Sequence, residues 1–198
     1  IVACLVGSEM CIRDRFFISE ADYPGLERII FKVGFFLNGL VLIYVSWILF
    51  KTCKPRARWY MMHVSLIAGV LVGINLSLMA LWNVYDYEKL HIVTASNVFQ
   101  LGIVWCVATH IGLPNARLNG KKIRYVSVSM SIIAFIGMFY AVGLGIERYP
   151  EFAEGNWDME KMKPYINWAA PFEYLMVFSF MLTPVSYTHL RAHETSDY

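Results

Sequence analysis

A glutamate, a histidine and a ladder of amides and hydroxyls lie inside stretches of this chain that are otherwise apolar. Glu173 sits in INWAAPFEYLMVFSFML, about seven residues into an apolar run, which is roughly 10 Å of helix at about 1.5 Å per residue. A carboxylate at that depth in a bilayer costs a few kcal/mol unless it is paired, hydrated or protonated. Two residues earlier, Pro171 deprives the Asn167 carbonyl of its helical donor, so a kink and an open acceptor are expected there. His91, Thr94, Ser96, Asn97 and Gln100 place polar groups on the first turns of another run, HIVTASNVFQLGIVWCVATHIG. Such groups need partners inside a membrane. The expected partner set is Glu173 with His91, Asn97 or Gln100. Three kinds of chemistry fit it: a structural hydrogen-bond network, a site for a lipid headgroup or a proton, and an acid/base pair.

Other chemistries lack their residues. A zinc site needs converging ligands. His63 and His110 fall at one end of their spans and His91 at the other, about 30 Å away across a bilayer. No metal and no cofactor is therefore expected. No phosphate loop, nucleophile elbow or paired-carboxylate motif is present. Ser96 and His91 are five residues apart, which puts them on different helix faces.

The elements that must position these residues are membrane helices. The chain is 58% hydrophobic and only 16% charged, with a mean hydropathy of +0.49. Soluble domains carry about 25% charged residues. The expected architecture is an all-α polytopic bundle over residues 16–184, with spans at about 29–50, 60–82, 91–113, 125–146 and 166–183, each near the 20 residues or so that cross a bilayer. Residues 1–15 and 185–198 resemble translated sequencing-adapter sequence and are set aside from the fold.

Charge orients the spans. Connections 51–59 and 114–124 hold Lys51, Lys54, Arg56, Arg58, Arg117, Lys121, Lys122 and Arg124 and no acid. Segments 17–28, 83–90 and 147–165 carry the acids. By the positive-inside rule the two basic connections face the cytosol. The first visible span then enters from outside, so a preceding sixth helix is expected.

Small residues recur every four positions: Ser65, Gly69, Gly73 and Ser77 in the second span, and Gly137, Ala141 and Gly145 in the fourth. Such ridges let helices approach closely where dispersion must hold them together. They serve packing within the chain or a homodimer seam. The basic connections set topology and are candidate contacts for anionic lipid. Cys53 is a candidate palmitoylation site. The acidic loop near Trp157 and the basic connections are candidate protein contacts. No feature points to nucleic acid.

Several short pieces together resemble one family. They are Ile18-Ser19 through Pro24 to Ile30-Phe31, the glycine-rich second span, the His91, Ala95, Phe99 pattern, and the Glu173-Tyr174 pair. They resemble the damage-regulated autophagy modulator (DRAM) family and its relatives. Those relatives are the Sfk and FGF-receptor-activating proteins, the Post-GPI-attachment remodelling factors and the N-terminal half of the yeast Cwh protein. The resemblance covers about residues 17–184. It implies six membrane helices with cytosolic ends, in a eukaryotic endomembrane (lysosome, Golgi or ER) or the plasma membrane. It also implies a part in autophagy, in GPI-anchor lipid remodelling or in phosphoinositide metabolism. Pro24 stands alone where the family has tandem prolines, and Tyr174 stands where the autophagy branch tends to have Trp. The expectation is a non-enzymatic regulator of lipid handling or autophagy. The alternatives are a GPI-anchor lipid remodelling factor and a proton-linked solute transporter.

Overall fold

The structure is a computed structural model. It describes residues 18, 22, 25–53, 58–84, 86–113, 118–152 and 159–191, with the main chain alone for 118, 119, 159 and 186–191. Five long helices account for most of them: α1 (Leu26–Cys53), α2 (Trp59–Leu81), α3 (Glu88–Gly112), α4 (Leu118–Arg148) and α5 (Met159–Arg191), with a 3-10 turn at Pro150–Phe152. The described residues contain no strand. Helices α1 to α4 are each long and apolar enough to cross a membrane. Helix α5 falls outside that set; Asn167, Pro171 and Glu173 interrupt its apolar run. It nevertheless packs along α4.

Successive helices are neighbours. Helix α1 packs on α2, α2 on α3 and α4 on α5, while α3 meets α4 and α5 over shorter stretches. The small-residue ridges are filled from within the chain. A side chain on Gly73 would come within 2.6 Å of the Gly39 carbonyl oxygen. Ser77 donates from its hydroxyl to the Phe36 carbonyl at 3.4 Å. Gly69 faces Ser46 and Trp105, so α2 touches α1 and α3 at one level. Ser65 reaches α3 through Thr109, hydroxyl to hydroxyl at 2.8 Å. On α4, Gly137 lies against the Phe172 ring, Gly145 against Met162 and Tyr165, and Ala141 is buried. Backbones this close gain dispersion contacts that larger residues would block.

The interior is small and adaptable, with Ala134, Ala169, Ala170 and Met176 fully enclosed. The bulky residues face outward, among them Ile29, Val33, Leu37, Val41 and Tyr44 on α1 and Ile133, Ile136 and Tyr140 on α4. Lipid tails solvate such a surface, so apolarity outside costs nothing there.

Two helices are longer than expected. Helix α4 begins at Leu118 and takes Lys121, Lys122 and Arg124 into its first turns. Helix α5 begins at Met159 and runs past 184 to Arg191. Charge at a helix end does not stop the helix, because its head groups still reach water.

Candidate functional site

The polar residues gather at the two ends of the bundle and in one interhelical cluster between them. At the acidic end, Glu173 is buried, and one carboxylate oxygen accepts the Ile18 main-chain N–H at 2.7 Å. Helix α5 thereby holds the main chain at Ile18, ahead of α1. Four residues on, Asp22 is fully buried. Its carboxylate lies 3.6 Å from the Arg28 guanidinium, and neither oxygen has a hydrogen-bond donor among the described residues. Burial pushes the Asp22 carboxyl above its ordinary value of 3.8, against the opposing pull of Arg28 and Lys32. Arg28 also reaches Asp86 at 3.5 Å, linking α1 to the turn between α2 and α3. Asn83 shapes that turn. Its amide donates to the Asp86 carboxylate and its oxygen accepts the Asp86 N–H, both at 2.7 Å.

His91 is buried under this turn. Its Nδ1 lies 2.8 Å from the Trp82 carbonyl, which can only accept, so Nδ1 carries the proton. Nε2 is buried without a partner. Thr94 is satisfied by its own helix, donating to the Leu90 and His91 carbonyls at 2.9 Å. Asn97 donates to Asn75 on α2 at 3.2 Å. Gln100 is exposed. Asn167 is half-buried, with its side-chain oxygen enclosed and unpartnered. The expected contacts of Glu173 with His91, Asn97 or Gln100 are therefore not formed. Helices α3 and α5 meet over only a short stretch, and Asn97 and His91 find their partners on α2 and at its end instead. His91 is bonded to the Trp82 carbonyl rather than to Glu173.

Two groups were not anticipated from sequence. Asp22 lies in a stretch that looks like an exposed polar lead-in. Its signal was its place inside the Ile18-to-Pro24 entry pattern. The second group is a cluster further along α4 and α5. Ser127 donates to the Ser179 carbonyl at 2.7 Å and shares a 2.9 Å bond with the Thr183 hydroxyl, which also lies 3.0 Å from Cys106. The i, i+4 spacing of Ser179 and Thr183 was the available signal.

At the basic end, Lys51, Arg58, Lys121 and Lys122 are exposed, and Lys51 lies over the Trp47 ring. Arg124, expected at the surface, is 1% exposed and donates to the Leu113 carbonyl at 2.9 Å. It shares a helix face with the buried Gly120, Ser127 and Ser131, four residues before it and three and seven after it. The Arg58 N–H bonds the Gly112 carbonyl at 3.0 Å, so two terminal carbonyls of α3 have donors. A cavity of about 230 Å³ is lined by Arg58, His110, Ile111, Leu113, Lys121, Arg124 and Tyr125. Cys53 is buried against Met62 and Leu113. Lys54, Arg56 and Arg117 lie outside the described residues, as does Trp157.

Long apolar helices, small-residue seams and an outward apolar surface define a polytopic helical membrane protein. The family model described as the Frag1/DRAM/Sfk1/Cwh43P N-terminal domain matches residues 17–188, nearly the whole chain, and the chain belongs to that family. No curated protein and no solved structure matches it.

Three of the four motifs behind the family resemblance meet in pairs. Ile18 of the entry pattern meets Glu173 of the last helix, and Asp22 of the same pattern lies near His91 of α3.

Proposed function

We propose that this protein is a non-enzymatic regulator of lipid handling or autophagy in a eukaryotic endomembrane, with its basic connections in the cytosol. The observation that carries the reading is the commitment of Glu173. Its carboxylate accepts a main-chain N–H from the segment before α1, a use that ties the bundle together. The hydroxyls of Ser65, Thr109, Ser127 and Thr183 are likewise spent between helices. The concentration of Lys and Arg in two acid-free connections supports the orientation.

The buried and unpartnered Nε2 of His91 favours a second reading, GPI-anchor lipid remodelling, because it leaves one base free at the acidic end. Lipid analysis of GPI anchors from cells lacking the protein separates the two. Unchanged anchor lipid with altered bulk membrane lipid or autophagic flux supports the regulator. Altered anchor lipid supports remodelling. Solute or proton flux through proteoliposomes tests transport: the regulator gives background flux with the parent chain and with Glu173→Gln alike.

A further inference from the structure

The cavity at the basic end has a charge pattern that selects a ligand. Arg58 lies just before α2, His110 near the end of α3, and Lys121 and Arg124 in the first turns of α4, so three cations from two parts of the chain and a histidine from a third line one hollow. The sequence holds no Asp or Glu from Arg28 to Tyr85, or from Lys89 to Ile146. The α1–α2 and α3–α4 connections and the helix ends they join therefore bring no carboxylate to this hollow.

The main chain would oppose an anion here, since the carbonyls ending α3 point this way. Two of them are already engaged, Gly112 by the Arg58 N–H and Leu113 by Arg124. Those same bonds fix where Arg58 and Arg124 stand. The volume, about 230 Å³, is below the roughly 300–1,000 Å³ of pockets for drug-sized molecules. It suits a compact headgroup. Ile111, Leu113 and Tyr125 supply an apolar wall on the side of the helices.

We propose that this cavity binds the phosphomonoester headgroup of a membrane lipid, with Arg58 and Lys121 as its exposed cations and Arg124 as its buried one. A phosphomonoester carries about −1.5 to −2 charges near neutral pH, more than a phosphodiester, and its oxygens match the planar fork of arginine. The position at the end of four apolar spans puts the hollow at headgroup level, where a lipid delivers such a group without leaving the bilayer. The inference goes beyond a general role in lipid handling. It depends on that role only in taking a lipid as the source of the phosphate.

The test uses the full chain in phosphatidylcholine nanodiscs, titrated with dioctanoyl phosphatidic acid, dioctanoyl phosphatidylserine and inorganic phosphate, with binding read by calorimetry. Saturable binding of the phosphatidic acid is expected, tighter than that of phosphatidylserine. The double variant Arg58→Gln with Lys121→Gln changes two exposed side chains and should weaken it roughly thirtyfold. Lys51→Gln with Lys122→Gln removes two cations from the same end but none from the cavity wall, and should leave binding within about threefold. Equal weakening by both pairs would overturn the site in favour of diffuse surface charge. Equal binding of inorganic phosphate would overturn the lipid source. Binding that fails while cells lacking the protein still show altered lipids would overturn this cavity alone. Intact binding with unaltered cellular lipids would overturn the proposed function alone.

Discussion

The two ends of this bundle handle charge in opposite ways. At the acidic end, carboxylates are used from inside: Glu173 grips the main chain at Ile18, and Asp22 is sealed beside Arg28. At the basic end, cations surround a hollow, and among the described residues only Arg124 is drawn under the surface. One end grips its own main chain at Ile18. The other is left open, with positive charge around it. Buried charge in a membrane protein therefore has two uses here, as a clasp for backbone and as part of the wall of a hollow.

Four substitutions sharpen that contrast. The largest effect belongs to Arg124→Leu, which leaves the Leu113 carbonyl without its donor and should cost about 2–4 kcal/mol. Equilibrium denaturation in mixed micelles measures it. Next comes Glu173→Ala, which removes a charged acceptor and should cost about 1.5–3 kcal/mol. Its distinguishing sign is faster hydrogen exchange at the Ile18 amide, with exchange around Leu113 unchanged. Should both regions loosen together, the two ends are not independent.

Ser127→Ala should cost about 1 kcal/mol by losing its bonds to Ser179 and Thr183. It should alter neither Ile18 exchange nor the basic cavity. The smallest effect is a pH dependence. Because the folded-state value of Asp22 lies above 3.8, folding favours its protonated form. Its burial is tolerated fully below the unfolded value, and stability falls as pH rises from about 3.8 through the raised folded value. Asp22→Asn should flatten that part of the stability–pH curve; an unchanged curve would show that another group titrates there.

Much of the architecture was legible because lipid imposes a simple rule on sequence. Spans of apolar residues near the bilayer thickness became α1 to α4, with ends within a few residues of expectation except in α4. The ridges at Gly69 and Gly73 also announced close approach, though not that α1 would fill them. Helix ends were harder. Lys121 and Lys122 look like a loop but extend α4, since exposed lysine suits a helix as well as a turn. The site was half legible. Buried polar residues such as Glu173 and His91 stand out against apolar neighbours, but a sequence does not say which helix lies opposite. Glu173 accordingly found Ile18, far away in sequence, and His91 found the end of α2. Arg124 was hidden by its company: it lies beside two exposed lysines, and its burial shows only in its register with Ser127 and Ser131.

The account stands on the two ends facing opposite sides of a membrane. Single cysteines placed at Asp86 and Lys122, in a chain with its native cysteines replaced, test this with an impermeant maleimide. In cells whose plasma membrane alone is opened, Lys122→Cys should be labelled and Asp86→Cys protected until the organelle membranes are dissolved. Labelling of both positions in the first step would place the two ends on one side and contradict the account.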